Sequence, residues 1–406
     1  MIKRDNYLNS IIPFIDTELI KVLTGVRRSG KSVMLKLIQE YLIEKGVKES
    51  QFTTLNFEVL RYEPYLEYHS LIDFLKKEIS NSDEKSYIFL DEVQEVKNFE
   101  KVINFLLTNY GNRVDIYITS SNTKILSGEL ATLIGRYISF EIYPFTFSEY
   151  VEGRKSVQQE KTNLEYFQAY VVEGGIPFFV FQDLSYQNRL SYLSDIYNSI
   201  ILKDIIKVEN LREPEILRRI LNYGMLNSGK SFSANTIKNY LKDNSITASV
   251  TTILKYLESI KSAYIFIPLK RYDIQGKRFL ATQEKYYIVD HGLRQAVIGR
   301  NEQDIELVLE NIVLLELIAR GYEVFVGKTN QYEIDFVAEK KSQRGLDRIY
   351  VQVSYLIASE KTREREFRAL KEISDNYKKL VLSLDNFTSD SDGIVHKNII
   401  DWLLDK

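Results

Sequence analysis

Cysteine is absent from all 406 residues. Disulfide bridges, thiol nucleophiles and cysteine-ligated metals are thereby excluded. Histidine is nearly as scarce: His69, His291 and His396 are scattered along the chain, which argues against a zinc site. No uninterrupted apolar run approaches the ~18 residues that a membrane-spanning helix needs. The opening MIKRDNYLNS also lacks the apolar segment of a secretion signal. A cytoplasmic location with no membrane partner is the expectation. No strong excess of either charge is present, the formal net charge being −2, so bulk attraction to nucleic acid is not expected. The composition left, 44% hydrophobic and 27% charged, suits a globular protein of two or three domains.

The most informative stretch is Ile20 to Leu37, IKVLTGVRRSGKSVMLKL. Ile20, Val22 and Leu23 suit a buried parallel strand, and Val33, Leu35, Leu37, Ile38 and Leu42 recur at helical spacing. Between them Gly25, Gly30, Lys31 and Ser32 fill every fixed position of G-x-x-x-x-G-K-[ST]. Strand, glycine loop and helix form the context that gives this phosphate-binding motif its meaning. The glycines let consecutive N–H groups turn inward, and the helix adds its positive dipole end. The predicted ATP-binding set is Gly25, Arg28, Ser29, Gly30, Lys31, Ser32 and Val33. Within it Lys31 reaches the β- and γ-phosphates, and the Ser32 hydroxyl is a ligand for Mg²⁺.

Phe52 to Phe57 alternates like a strand, Leu66 to Ile79 is helical, and a polar turn spans Asn81 to Lys85. Tyr87 to Leu90 is then a continuous apolar run ending in Asp91 and Glu92. An acidic pair can simply cap the next element. About 60 residues after a phosphate loop, it predicts Asp91 on Mg²⁺ and Glu92 as the group that activates water. The extra strand and the Glu after the Asp point to the additional-strand, catalytic-glutamate class of P-loop NTPases. A helix from Phe99 to Tyr110 precedes another buried strand, Val114 to Thr119, tipped by Ser120, Ser121 and Asn122. Polar residues at the tip of a parallel strand face ligands, so Asn122 or Ser121 is expected to sense the γ-phosphate, or to cap the helix that follows. Arg136, before the last core strand, is expected either as a charge finger, in its own or a neighbouring subunit of a homo-oligomer, or as a solvated strand end.

Residues 145 to 228 carry helical periods at Phe147 to Glu152, Leu164 to Val172, Leu184 to Val208 and Pro214 to Leu226. They read as a helical lid and connector after a 1–144 core. In 229–303 a helix from Phe232 to Lys242, a polar turn, a second helix from Ala248 to Lys261 and strand runs at Ala263 to Lys270 and Lys285 to Val289 read as a winged helix-turn-helix. Ten basic and four acidic residues lie between Gly229 and Lys285, a balance of +6 in a chain whose total is −2. Lys255, Lys261, Arg271, Lys277 and Arg278 are the predicted contacts to the phosphates of double-stranded DNA. A winged helix that binds protein is the other reading.

Together the runs GVRRSGKS, FLDEVQ and ITSSN, the segment from Gly135 to Tyr150 and the GGIP of Gly174 to Pro177 resemble one family over nearly the whole chain. It is the prokaryotic AAA-type ATP-binding proteins with a C-terminal domain of unknown function. The resemblance implies an AAA-like core, a helical lid, a winged helix and a nuclease-like C-terminal fold. Residues 304 to 406, which alternate helix and strand, are similar to restriction-endonuclease-like folds. Glu310, Asp335 and Gln352 match that pattern, but Ser354 stands where a lysine belongs. Loss of that charge favours a non-cutting domain. The expected fold class is therefore α/β: a parallel P-loop sheet, a helical lid, a winged helix and an α/β nuclease-like domain. The expected function is Mg²⁺-dependent ATP hydrolysis coupled to DNA contact. A nucleotide-gated switch for a protein partner and an ATP-regulated nuclease stand beside it.

Overall fold

An apolar run without polar interruption suits a central strand of a sheet covered on both faces, and Tyr87 to Leu90 lies in such a strand. The computed structural model describes residues 2–80, 84–127, 133–157, 160–182, 184–207, 213–280, 284–343, 345–357, 359–387 and 390–405. Residues 81–83 of the expected polar turn and Val208 of the long helical stretch lie outside them. Contacts divide the chain into two units. One is Met1–Tyr143 with Ser262–Tyr264, the other Pro144–Lys261 with Ile265–Lys406.

The first unit is built on β1 (Ile20–Thr24), β2 (Phe52–Asn56), β3 (Ser86–Asp91), β4 (Val114–Ser120) and β5 (Tyr137–Glu141), all parallel, in the order β2-β3-β4-β1-β5. β4 lies between β1 and β3, so the strand carrying the loop and the strand carrying the acids are not neighbours. Helices α1 (Asp5–Ile11), α2 (Lys31–Glu44), α3 (Tyr68–Ser80), α4 (Phe99–Tyr110) and the short α5 (Lys124–Ser127) accompany the sheet. One core joins Leu71, Leu75, Val102 and Leu106 of α3 and α4 to Ile88, Leu90, Ile116 and Ile118. The other joins Ile11, Met34, Leu35 and Ile38 of α1 and α2 to Leu23, Phe89 and Tyr117. Each fully buried aliphatic side chain is worth roughly 1.5–3 kcal/mol. A charged pair is fully enclosed in the interior: Lys21 of β1 bonds Asp115 of β4 with both side chains 0% exposed, and the Tyr117 hydroxyl donates to the same carboxylate at 2.8 Å.

The second unit begins with α6 (Phe147–Lys155), α7 (Asn163–Glu173), α8 (Pro177–Val180), α9 (Tyr186–Ser199) and α10 (Pro214–Leu226). Thr146 and Thr162 open α6 and α7 through capping boxes with Glu149 and Glu165. α9 continues as a π-helical stretch, Ile200–Lys207. The Gly174–Gly175 pair has a steric cause: a Cβ on Gly175 would lie 2.3 Å from the Phe145 carbonyl oxygen. Its N–H donates to Asp290 at 2.7 Å. There follow α11 (Ala234–Asp243), α12 (Val250–Ser262), β6 (Phe266–Leu269), β7 (Arg271–Asp273), β8 (Arg278–Phe279), β9 (Lys285–Ile288), α13 (His291–Ile298) and α14 (Ile305–Ala319). The chain closes with β10 (Glu323–Lys328), β11 (Glu333–Ser342), β12 (Gly345–Val353), α15 (Glu360–Lys371), β13 (Lys378–Ser383), β14 (Ile394–Asn398) and α16 (Ile399–Leu404).

The strand pairing departs from the sequence reading at one place. β6 and β9 pair antiparallel as a separate ribbon, but the β7–β8 hairpin between them leaves that ribbon. β7 lies parallel to β10, giving a seven-stranded sheet in the order β14-β13-β12-β11-β10-β7-β8. The reason is apolar: Tyr272 and Ile274 pack with Phe325, Ile334 and Val337 in the core of that sheet.

Candidate nucleotide-binding site

β1 ends at Thr24, and the chain turns at Gly25 with φ +142°. Only glycine fits there, since a Cβ would lie 2.2 Å from the Ile142 carbonyl oxygen. Arg28 (φ +69°) and Gly30 (φ +103°) continue the left-handed turns, and α2 starts at Lys31. Its first internal bond is Met34 N–H to Gly30 O at 2.9 Å, so the N–H groups of Lys31, Ser32 and Val33 have no acceptor within the helix. They form an anion cradle at a positive helix end. Lys31 is 3% exposed. Its ammonium donates to the carbonyls of Gly25 (3.1 Å) and Val26 (3.2 Å) and lies 3.6 Å from Glu92 Oε1. Arg28, Ser32 and Val33 are exposed, while Ser29 is buried and its Oγ has no partner among the described residues. Beneath the loop the Arg4 guanidinium donates to the carbonyls of Ser29 at 3.2 Å and Tyr143 at 2.8 Å.

The acids come from the end of β3. Asp91 accepts from the Thr119 hydroxyl at 2.6 Å and from Asn56 Nδ2 at 2.7 Å, and it also bonds Ser32. Burial pushes its carboxyl above the usual range, and the bonds to Thr119 and Ser32 counter only part of that. Glu92 sits in the left-handed region, φ +55° and ψ +50°, its N–H fixed by Thr119 Oγ1 at 2.8 Å. Burial alone would raise its carboxyl too. The charges of Lys31 and Arg27, with hydrogen bonds from Gln94 and Ser121, outweigh burial and hold it below the ordinary value. A carboxylate that is anionic at neutral pH is the outcome.

Of the two candidates at the β4 tip, Ser121 bonds Glu92. Asn122 instead uses its Oδ1 to accept from the Lys124 N–H at 2.8 Å, a local cap. Arg136 is exposed at the start of the edge strand β5. Sequence reasoning missed Asn56, Thr119 and Gln94. A signal existed for the first: Asn56 is a polar residue at the end of a strand, and it pairs in register with Asp91. Chemically the set fits a nucleoside triphosphate and a hard divalent cation. The helix-end amides and Lys31 suit phosphate, and the Ser32 hydroxyl beside Asp91 supplies oxygen donors.

In the second unit the five predicted phosphate contacts fare differently. Lys255, Lys277 and Arg278 are exposed. Lys261 is not available in the expected way, because it pairs with Glu258 (3.2 Å) and Glu284 (3.1 Å) and lies over the Tyr286 ring. Arg271 bonds Glu333 of the large sheet, following β7 into that sheet. Glu310, Asp335 and Gln352 do converge: with Glu306, Glu333 and Glu366 they line a pocket of about 320 Å³. Ser354, 1% exposed, is not among its lining residues. Lys285 of β9 lies 2.5 Å from Glu333 and is raised above the ordinary range, the fields of Glu310, Glu333 and Asp335 outweighing the opposite effect of burial. Burial pushes Glu310 up to about 7 and Asp335 well above the usual range. Among the described residues no group of three or more His, Asp and Glu side chains is arranged to hold a metal ion.

Residues 17–151 match a family described as an AAA domain, and residues 164–304 a family described as a domain of unknown function. An uncharacterized protein of Haemophilus influenzae is 38% identical over 406 residues, spanning 100% of this chain and 99% of its own. An uncharacterized protein of Methanocaldococcus jannaschii is 31% identical over 383 residues, 90% of this chain and 80% of that one. Among solved structures, a Walker-type ATPase of Pyrococcus abyssi superposes with TM-score 0.51 at 15% identity, over 73% of this chain and 94% of its own. That likeness is one of fold.

Proposed function

The chain belongs to the family of these Haemophilus influenzae and Methanocaldococcus jannaschii proteins, with a first domain of AAA type, and on that premise we propose that it hydrolyses ATP with Mg²⁺. The observation behind this reading is the Glu92 carboxylate, held anionic beside Lys31 and within one hydrogen-bond network with Asp91 and Ser121. Lys31 and the amides at the start of α2 bind phosphate, and Ser32 and Asp91 hold the cation, which when bound offsets phosphate charge. Glu92 takes the proton of the attacking water. Ser121, through its bond to Glu92, senses the γ-phosphate, and Arg136, which is exposed, serves as a charge finger for a neighbouring subunit. Steady-state ATP turnover of the wild type and Glu92→Gln tests this. Loss of ~10²-fold or more in kcat with ATP binding retained is expected; equal turnover overturns the assignment.

Coupling to DNA rests on α11, α12 and the exposed Lys255, Lys277 and Arg278. The internal pairing of Lys261 and Arg271 favours the second reading, a nucleotide-gated module for a protein partner. Turnover with and without double-stranded DNA separates the two: stimulation supports the first, indifference the second. The C-terminal sheet is read as non-cutting. Lys285 of β9 is tied to Glu333, and burial favours the protonated form of Asp335.

A further inference from the structure

The three-residue turn Val93–Glu95 follows the left-handed Glu92 and folds Gln94 back beside it. Gln94 Nε2 donates to Glu92 Oε2 and, at 3.3 Å, to Ser121 Oγ. A carboxylate only accepts, so the amide must turn its NH₂ toward Glu92 and its oxygen away. Both N–H bonds of Gln94 are then engaged. Its Oε1 is buried and has no partner among the described residues. An amide oxygen buried without a donor loses its hydration with nothing in return, and in native proteins such an orphan calls for an explanation. The amide is held at Glu92 and Ser121 by its NH₂, which leaves Oε1 as its remaining acceptor.

We propose that Gln94 is a second water-binding residue of this site, holding Glu92 and Ser121 with its NH₂ and accepting one proton of the attacking water with Oε1. The inference rests on the ATPase reading above. A water has two protons: one directed at Glu92 and one at Gln94 Oε1 leave an oxygen lone pair for the γ-phosphorus. In the step, the water oxygen bonds to phosphorus as the bond to the β,γ-bridging oxygen breaks. The electron pair leaves on ADP, the abstracted proton goes to Glu92, and the products are ADP and inorganic phosphate. Two acceptors fix the water's position and orientation, which one carboxylate cannot do.

The test is the wild type against Gln94→Met and Gln94→Leu, which keep bulk and remove the amide, with ATP turnover followed from pH 5 to 9 and ATP binding by calorimetry. Expected are a kcat lower by ~10–10²-fold with Kd and KM within about threefold. A purely structural role would instead weaken ATP binding along with turnover. Turnover within twofold of wild type in both variants overturns the proposal, as does loss of ATP binding in both. If the wild type turns over and Glu92→Gln is silent while Gln94→Met is normal, this inference alone fails. If the wild type neither binds nor hydrolyses ATP, the ATPase reading fails with it.

Discussion

Replacing Glu310 by Gln gives a stability experiment whose sign follows from the pocket. Glu310 shares that pocket with Glu306, Glu333 and Asp335, and the Tyr287 hydroxyl donates to it at 2.9 Å. Burial raises it from the ordinary 4.5 to about 7, with Lys285 and Tyr287 pulling the other way and Glu333 and Glu306 reinforcing the rise. A carboxyl raised by folding stabilises fully below its unfolded value, and that stability is lost as pH climbs through the folded value. The second unit therefore loses roughly 2–3 kcal/mol between about pH 4.5 and 7 from this group, the lower figure allowing for water at the pocket mouth. Asp335, raised by burial and then by Glu310, adds in the same direction. For a unit of this size the loss corresponds to roughly 4–12 °C in Tm. The chain has a single tryptophan, Trp402 of α16, which is 5% exposed. Its fluorescence reports melting of the second unit alone. Wild-type Tm by tryptophan emission should fall from pH 5 to 8, and Glu310→Gln should flatten the profile and be the more stable protein at pH 8. Parallel profiles would refute the argument.

Two further outcomes follow from ion pairs described above. Lys21→Met strands a buried Asp115 carboxylate, so the first unit should lose about 3–5 kcal/mol by calorimetry, whereas a Lys21→Met, Asp115→Leu double variant should recover much of it; equal losses would show that the charge is not what matters. If DNA is bound, Lys255→Ala and Lys277→Ala should each lower the slope of log affinity against log salt by about 1, whereas Lys261→Ala should lower it less. Equal effects from all three in fluorescence anisotropy titrations would mean that the Glu284 pairing does not hold in solution.

The nucleotide site was legible because its geometry is encoded locally. Two glycines at fixed spacing, a lysine and a hydroxyl residue, set between strand and helix, leave little freedom for the backbone. The acids were legible for a similar reason, as polar residues closing an apolar run. Gln94 stood in plain view, but nothing in its spacing announces that Glu92 takes left-handed angles and turns Gln94 back on it. The basic set was overcounted for a different reason. Lys261 and Arg271 look free until Glu284 and Glu333 arrive, 23 and 62 residues further along, and only the fold brings them. The helices Asp5–Ile11 and His291–Ile298 escaped because 7 and 8 residues hold too few turns for a periodic signal.

The parallel contact of β7 with β10 sets where the polypeptide can be divided. A cut between residues 303 and 304, where the sequence suggests a border, would strip β7 and β8 from the sheet and leave Glu323–Lys328 as a bare edge. Val324, Phe325 and Val326 are buried there, so the liberated fragment would present an apolar strand with unpaired amides, a template for self-association. Expression of residues 304–406 alone should therefore yield aggregates. Gene shuffling faces the same constraint: the two strands must travel with the C-terminal sheet, and the ribbon of β6 and β9, which brackets them in the chain, must travel too.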